Sequence, residues 1–268
     1  MTRPGDVVDA AEWDRYGSHW VDSRPQQNWR RHSDAVNVRL IEEWLPVRHI
    51  KRILKTDLFD EAVSGGICPM LTGRASSVVG IDVSASVRHE AARSCASLLC
   101  SGSDVRALPF RSGVFDAVVS LSTLDHFPGT GDVVDAVREL HRVLAPGGVL
   151  ILTLDNLANP VIALRNSLPY RLTHAAGLVP YPVGRTFGPE AARSLVEEAG
   201  FRVSEVTAIM HAPRVLAIPL MNAFGGKSKG RVDRLLLRGA MRFERLRGLK
   251  SRFRTGHFIA IRAEKLVG

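Results

Sequence analysis

Cysteine is scarce in this chain: among 268 residues there are only Cys68, Cys95 and Cys100, an odd number with no CxxC pair. That argues against both a secreted disulfide framework and a zinc site, and it predicts reduced thiols in a cytoplasm. Aromatic residues make up 6% of the chain, and three of its four tryptophans (Trp13, Trp20 and Trp29) fall before residue 30. No uncharged run exceeds 13 residues, which is short of the roughly 18 to 20 needed to span a bilayer. The opening MTRPGDVVDAAEWDRY lacks the apolar core of a signal peptide. No internal repeat is present, and no GxGxxG follows the first strand-like run, which excludes a dinucleotide-dependent oxidoreductase. What remains, at 45% hydrophobic and 24% charged, is an ordinary globular chain with length for one large domain and elaborations.

The net charge of +9 is local. Residues 227–254 hold 11 Lys/Arg against Asp233 and Glu244, which accounts for all of it and leaves the rest of the chain balanced. A protein-wide field for nucleic acid is therefore not expected.

Apolar runs alternate with helical patterns. RILKTD (52–57), SVVGID (77–82), FDAVVSL (115–121) and GVLILTL (148–154) read as buried parallel strands bounded by Gly, Asp or Pro. Between them SVRHEAARSCASL (86–98) and GDVVDAVRELHRVL (131–144) carry helical spacing, as does PEAARSLVEEAGF (189–201) further on. FRVSEVTAI (201–209) and HFIAIRAE (257–264) supply two last strands that can pair antiparallel, with the basic segment as an excursion between them.

In a sheet of this kind ligands bind beyond the carboxyl ends of the strands, at the switch point. Asp82 closes SVVGID, where a carboxylate can accept from both hydroxyls of a ribose. Asp104, one strand later, could accept from an adenine amino group while the Val105 backbone reads the ring edge.

SDVRALPFRSGVFDAVVSLSTLDHF followed by VRELHRVLAPGGVLILTLDN, with AGF before the sixth strand, resembles the class I S-adenosylmethionine-dependent methyltransferases. The likeness spans residues 50–210 and is to the small-molecule (type 11-like) branch that includes quinone methylases. It implies an α/β, Rossmann-like, seven-stranded, mostly parallel sheet with helices on both faces and an antiparallel last strand. It also implies S-adenosylmethionine as cofactor, with Asp82 on the ribose, Asp104 and Val105 at the adenine, and Leu121 flanking the cofactor.

The first motif departs from that family. ILKTDLFDEAVSGG places Lys55 at the usual acidic position and Asp57, Phe59 and Glu61 where the family has glycines. Glycine there permits close backbone approach. Asp57, Asp60 and Glu61 could instead hold the methionine ammonium, three carboxylates in five residues suiting a cationic ligand; the plainer alternative is that these acids complement a helix N-terminus.

His126, just after strand four, is the candidate catalytic base, with Asp125 to orient it; alternatively Asp125 caps a helix and His126 merely packs. LPYRLTHAAGLVPYPVGRT (168–186) occupies the place of a substrate lid, with Tyr181 and Arg185 as substrate candidates.

GRVDRLLLRGAMRFERLRGLK forms an amphipathic cationic helix. It could meet an anionic membrane surface through residues 227–254, or its leucine face could pack on the core. The expected organisation is a helical leader (1–48), a methyltransferase core (49–211 and 255–268) and a basic insertion (212–254). The expected activity is methyl transfer to a small-molecule or lipid-like acceptor in the cytoplasm, with or without membrane association. The competing reading is a non-catalytic relative whose basic helix binds a membrane or a partner.

Overall fold

The computed structural model describes residues 10–23, 26–175, 183–224 and 230–267. Seven strands form one sheet: β1 (Ile50–Thr56), β2 (Ala75–Asp82), β3 (Leu98–Gly102), β4 (Phe115–Leu121), β5 (Leu144–Asp155), β6 (Phe201–Ile209) and β7 (Phe258–Lys265). Their order is β3-β2-β1-β4-β5-β7-β6. The first five are parallel, and β7 runs antiparallel between β5 and β6. The Rossmann-like, mostly parallel sheet expected from the sequence is the one observed. Strand order reverses between β1 and β4, so the carboxyl ends of these strands diverge at a crevice.

Strand residues alternate between two cores. Ile53, Ala117, Val119, Val149 and Ile151 enter one, while Leu54, Val118, Leu150 and Leu152 enter the other. This two-sided burial explains why the strands read as near-continuous apolar runs.

Helices α1 (Ala10–Ser23) and α2 (Gln27–Trp44) form the leader; α2 buries Trp29, Leu40, Ile41 and Trp44. After β1 come α3 (Phe59–Ser64) and α4 (Cys68–Arg74), and after β2 comes α5 (Ala85–Ser94). The second core face is covered by α6 (Thr130–Val143) and α9 (Pro189–Glu198). Two short helices, α7 (Pro160–Ser167) and α8 (Tyr170–Ala175), follow β5. Between β6 and β7 lie α10 (Arg214–Phe224), α11 (Arg231–Arg242) and α12 (Arg252–Thr255).

Two expectations are corrected. The helix read at 86–98 stops at Ser94, where Cys95 leaves helical geometry and the chain turns into β3. Cys68 and Cys95 form a disulfide with Cα atoms 6.6 Å apart, which removes the cysteine-based ground for a reducing compartment; Cys100 stays free. Twenty-seven residues of separation hide the pair in the sequence. The crossover through β2 returns the end of α5 to the start of α4, and both cysteines belong to the same core.

The basic helix α11 lies on α2 and α10. Its Ala240 is buried and Leu236 packs on the core, whereas Leu235 stands exposed among Arg231, Arg234 and Arg238. No helix among the described residues is long and apolar enough to cross a membrane.

Candidate active site

A cavity of about 470 Å³ opens over the carboxyl ends of β1, β2 and β4 and is roofed by α1 and α2. The roof is anchored on α5. Asp14 of α1 accepts from the Ser86 amide (2.9 Å) and the Ser84 hydroxyl (2.6 Å), Ser84 being the residue that caps α5. Gly17 lets α1 lie this close, since a Cβ there would sit 2.5 Å from Val87 Cγ2.

The loop after β1 is rebuilt around a charge swap. Lys55 Nζ meets Glu61 Oε2 at 2.7 Å, both side chains almost wholly buried, and the same ammonium donates to the Asp57 carbonyl. Glu61 Oε1 accepts from the Ile67 amide at 3.1 Å. Asp57 takes φ +65°, a left-handed geometry that suits glycine and that Asp tolerates better than most residues. The chain thus keeps a left-handed turn without a glycine at this point. Asp60 pairs with Arg30 of α2 at 2.6 Å, and the Arg30 guanidinium lies over the rings of Phe59 (4.7 Å) and Trp20 (5.2 Å). Phe59 therefore seals the loop against the leader.

Two carboxylates remain at this end without a basic side chain within ion-pair distance among the described residues. Asp57 accepts from the Phe59 amide, and Asp82 accepts from Leu58 N (2.9 Å) and Ser84 N (2.8 Å). A carboxylate offers about four lone-pair sites, so Asp82 can still receive hydroxyl donors. Burial, then the neighbouring Asp82 charge, pushes the Asp57 carboxyl up to about 6; burial also raises that of Asp82. Two acids held this way in one cavity favour a cation between them.

Asp104 and Val105 also line the cavity, as does Leu121. Arg106 clamps Asp104 through Nε and Nη2 (3.1 and 2.7 Å), reaches Asp132 at 2.6 Å and lies over Phe127. Hydrogen bonds from Arg106 hold the Asp104 carboxyl below its usual range despite burial. An adenine amino group there would share an acceptor already in use.

His126 faces the cavity from a 3-10 turn (Leu124–His126), with the Trp13 ring at 5.0 Å. Asp125 neither lines the cavity nor caps a helix with its side chain. It is buried, accepts from the Ser122 hydroxyl at 2.9 Å, and is pushed up to about 6 chiefly by burial. Ser122 itself adopts φ +50°.

The far end of the cavity is formed by Thr153, Met210, Arg214, His257 and Phe258. Met210 stands at φ +63°, pinned by Glu244, whose carboxylate accepts from the Met210 and His211 amides at 3.1 and 2.7 Å. Glu244 belongs to the excursion between β6 and β7, so that segment shapes the site. Behind His257, buried Asp155 is paired with Arg165 at 2.5 Å.

The structure thus brings Asp57, Asp60, Asp82, Asp104, Val105, Leu121 and His126 to one cavity. Glu61 does not line it, because its carboxylate turns inward to Lys55. Arg185 is exposed and outside the cavity lining; its backbone donates to the Phe127 carbonyl. Tyr181 lies outside the described residues. Sequence reasoning missed Arg106, Arg214 and His257. Only His257 carried a signal, as a strand-edge residue in HFIAIRAE.

Residues 62–152 match the family model described as a methyltransferase domain. Over that stretch, about a third of its length, the chain is similar to the class I S-adenosylmethionine-dependent methyltransferases. A curated relative, a malonyl-acyl-carrier-protein O-methyltransferase of Enterobacter lignolyticus (strain SCF1), is 33% identical over 144 residues. That stretch covers 54% of this chain and 52% of the relative, so the chain spans about half the relative's length. Among solved structures, an S-adenosylmethionine-dependent methyltransferase from Methanosarcina mazei superposes with TM-score 0.57 at 17% identity, covering 85% of this chain and 98% of that one. The 4+2 cyclase SpnF gives 0.58 at 19%, covering 86% and 80%. Likeness at that level shows the fold alone, and a cyclase among the neighbours illustrates that fold does not dictate activity.

The family's cofactor is S-adenosylmethionine, and the residues present fit it. Asp57 and Asp82 give the cavity an acidic end that would suit an ammonium and a ribose, and Asp104 and Val105 also line it. When bound, the cofactor supplies an electrophilic methyl group on a sulfonium.

Proposed function

We propose that this protein transfers a methyl group from S-adenosylmethionine to a small-molecule or lipid-like acceptor. The observation that carries the reading is the pair Asp57 and Asp82, two buried-end carboxylates without a salt-bridged cation among the described residues, at the switch point of the sheet. Both carboxylates accept backbone amides, yet two acids buried in one cavity without a countercharge are costly, and the family's cofactor brings a cation and two hydroxyls.

Transfer of this kind needs chiefly positioning, and a base only where the nucleophile must lose a proton. In this reading the leader does the positioning: Trp13, Tyr16 and Trp20 close the cavity from α1 and exclude water. His126, which lines the cavity, takes a proton from the acceptor in this reading.

The excursion supports a lipid-like acceptor: Leu235 of α11 is exposed among Arg231, Arg234 and Arg238, and α10, which contacts α11, exposes Val215, Leu216 and Leu220, features suited to an anionic lipid surface. Flotation with anionic and neutral liposomes tests that element, with salt-insensitive or absent binding as the contrary result.

The experiment for the activity measures S-adenosylhomocysteine formed from S-adenosylmethionine over a panel of phenols, amines and acids, for the wild type and Asp82→Ala. Turnover that the substitution abolishes is expected. Tight cofactor binding with no turnover on any acceptor would favour the non-catalytic relative with a recruiting helix.

A further inference from the structure

Four permanently charged or lysine cations line the cavity: Arg30, Lys55, Arg106 and Arg214. Three are neutralised on the spot, Arg30 by Asp60 at 2.6 Å, Lys55 by Glu61 at 2.7 Å and Arg106 by Asp104 and Asp132. Arg214 is not. Among the described residues no carboxylate lies within 4.0 Å of it, and its recorded contact is the ring of Trp29, 6.0 Å away. Asp155 feels its charge from farther off but is already committed to Arg165 at 2.5 Å. His257, whose Nε2 lies 3.5 Å from Asp155, adds no second charge, since burial drops its imidazole to about 4. One end of the cavity is therefore acidic, at Asp57 and Asp82, and the other carries an unspent positive charge.

Arg165 of α7 pairs with Asp155, and the charge of Arg214 of α10 also acts on it, so both side chains reach toward the carboxyl end of β5. Each presents uncovered aliphatic side chains, Val161 and Leu164 on α7, Val215 and Leu216 on α10. An anion held by Arg214 would thus have the apolar residues next to it in α10, Val215 and Leu216, at hand.

We infer that the Arg214 end of the cavity, with Trp29, Thr153 and His257, is a binding site for the carboxylate of an amphiphilic acid whose aliphatic chain leaves across α10. A guanidinium is suited to this because it offers parallel donors to two carboxylate oxygens and keeps its charge in a low-dielectric site. The inference rests on the proposed methyl transfer in treating that acid as the acceptor; the site itself is tested by binding.

The test is calorimetric titration of the full chain with octanoate, octylamine and octan-1-ol, in the absence and presence of S-adenosylhomocysteine, for the wild type, Arg214→Gln and Arg214→Lys. Circular dichroism and the melting temperature verify that each variant is folded. Octanoate is expected to bind, to lose tenfold or more in affinity in Arg214→Gln, and to recover partly in Arg214→Lys, with octylamine and octan-1-ol weaker throughout. Equal binding of octylamine, or octanoate binding unchanged in folded Arg214→Gln, overturns the site. S-adenosylhomocysteine affinity, read in the same titrations, judges the methyltransferase reading separately: it is expected to be unchanged in Arg214→Gln, and its absence from the wild type would defeat that reading whatever octanoate does.

Discussion

Replacing Glu61 by Gln strands an ammonium inside the protein. Lys55 and Glu61 have side chains 5% and 0% exposed, with 2.7 Å between Nζ and Oε2, so neither can turn to water when its partner is lost. Breaking such a pair costs about 3 to 5 kcal/mol, a large part of a domain stability on the order of 5 to 15 kcal/mol. The same cost is expected for Lys55→Met, which leaves the carboxylate alone. Replacing both, as Lys55→Met with Glu61→Leu, removes the uncompensated charge. It still loses the hydrogen bonds to Ile67 N and to the Asp57 carbonyl, each worth about 1 kcal/mol. The double variant should therefore be about 2 kcal/mol less stable than wild type and more stable than either single variant. Urea denaturation with slopes compared across the set measures this. Single variants that each cost below about 1 kcal/mol, or a double variant that shows the sum of the two, would refute the claim that a swapped ion pair holds the loop.

Cofactor affinity should fall as pH drops through about 6, because protonation of Asp57 removes a charge that a bound cation favours; titrations at pH 5 and 7.5 should differ for wild type and much less for Asp57→Asn. His32 is fully buried and its imidazole is lowered to about 4 by desolvation. Its unfolded form binds a proton below about 6.5 and its folded form only below about 4, so this stability is full above pH 6.5 and falls by roughly 3 kcal/mol on acidification to pH 4. His32→Phe should lack that component in parallel denaturation curves. Gly17→Ala drives a methyl group into Val87 and Ser84. Overpacking of this kind costs roughly 1 to 3 kcal/mol, and it should also weaken cofactor binding by lifting α1 from the cavity.

The sheet was legible in the sequence because its strands are buried on both faces: FDAVVSL and FRVSEVTAI match β4 and β6 residue for residue. Asp82 was legible as a strand-end carboxylate, and Asp57 as a residue of the loop after β1. What that loop does was not legible. The pairing of Lys55 with Glu61, six residues on, depends on a turn whose left-handed residue is Asp rather than glycine. Nor did spacing reveal that Cys68 and Cys95 meet, or that Arg214 and His257 reach a cavity lined mostly by residues of the first half of the chain. The cysteines meet only through the crossover at β2, and Arg214 and His257 reach the cavity only once β7 lies between β5 and β6. The leader showed its tryptophans but not their target, since the anchoring of Asp14 on Ser84 and Ser86 spans 70 residues or more.

The central claim is that a loop without the family's glycines still holds S-adenosylmethionine. Calorimetric titration with S-adenosylmethionine and S-adenosylhomocysteine, wild type beside Asp82→Ala, tests it most directly. The account predicts saturable binding of both that is lost or sharply weakened in the folded variant. No binding to folded wild-type protein, or equal binding to Asp82→Ala, would contradict it.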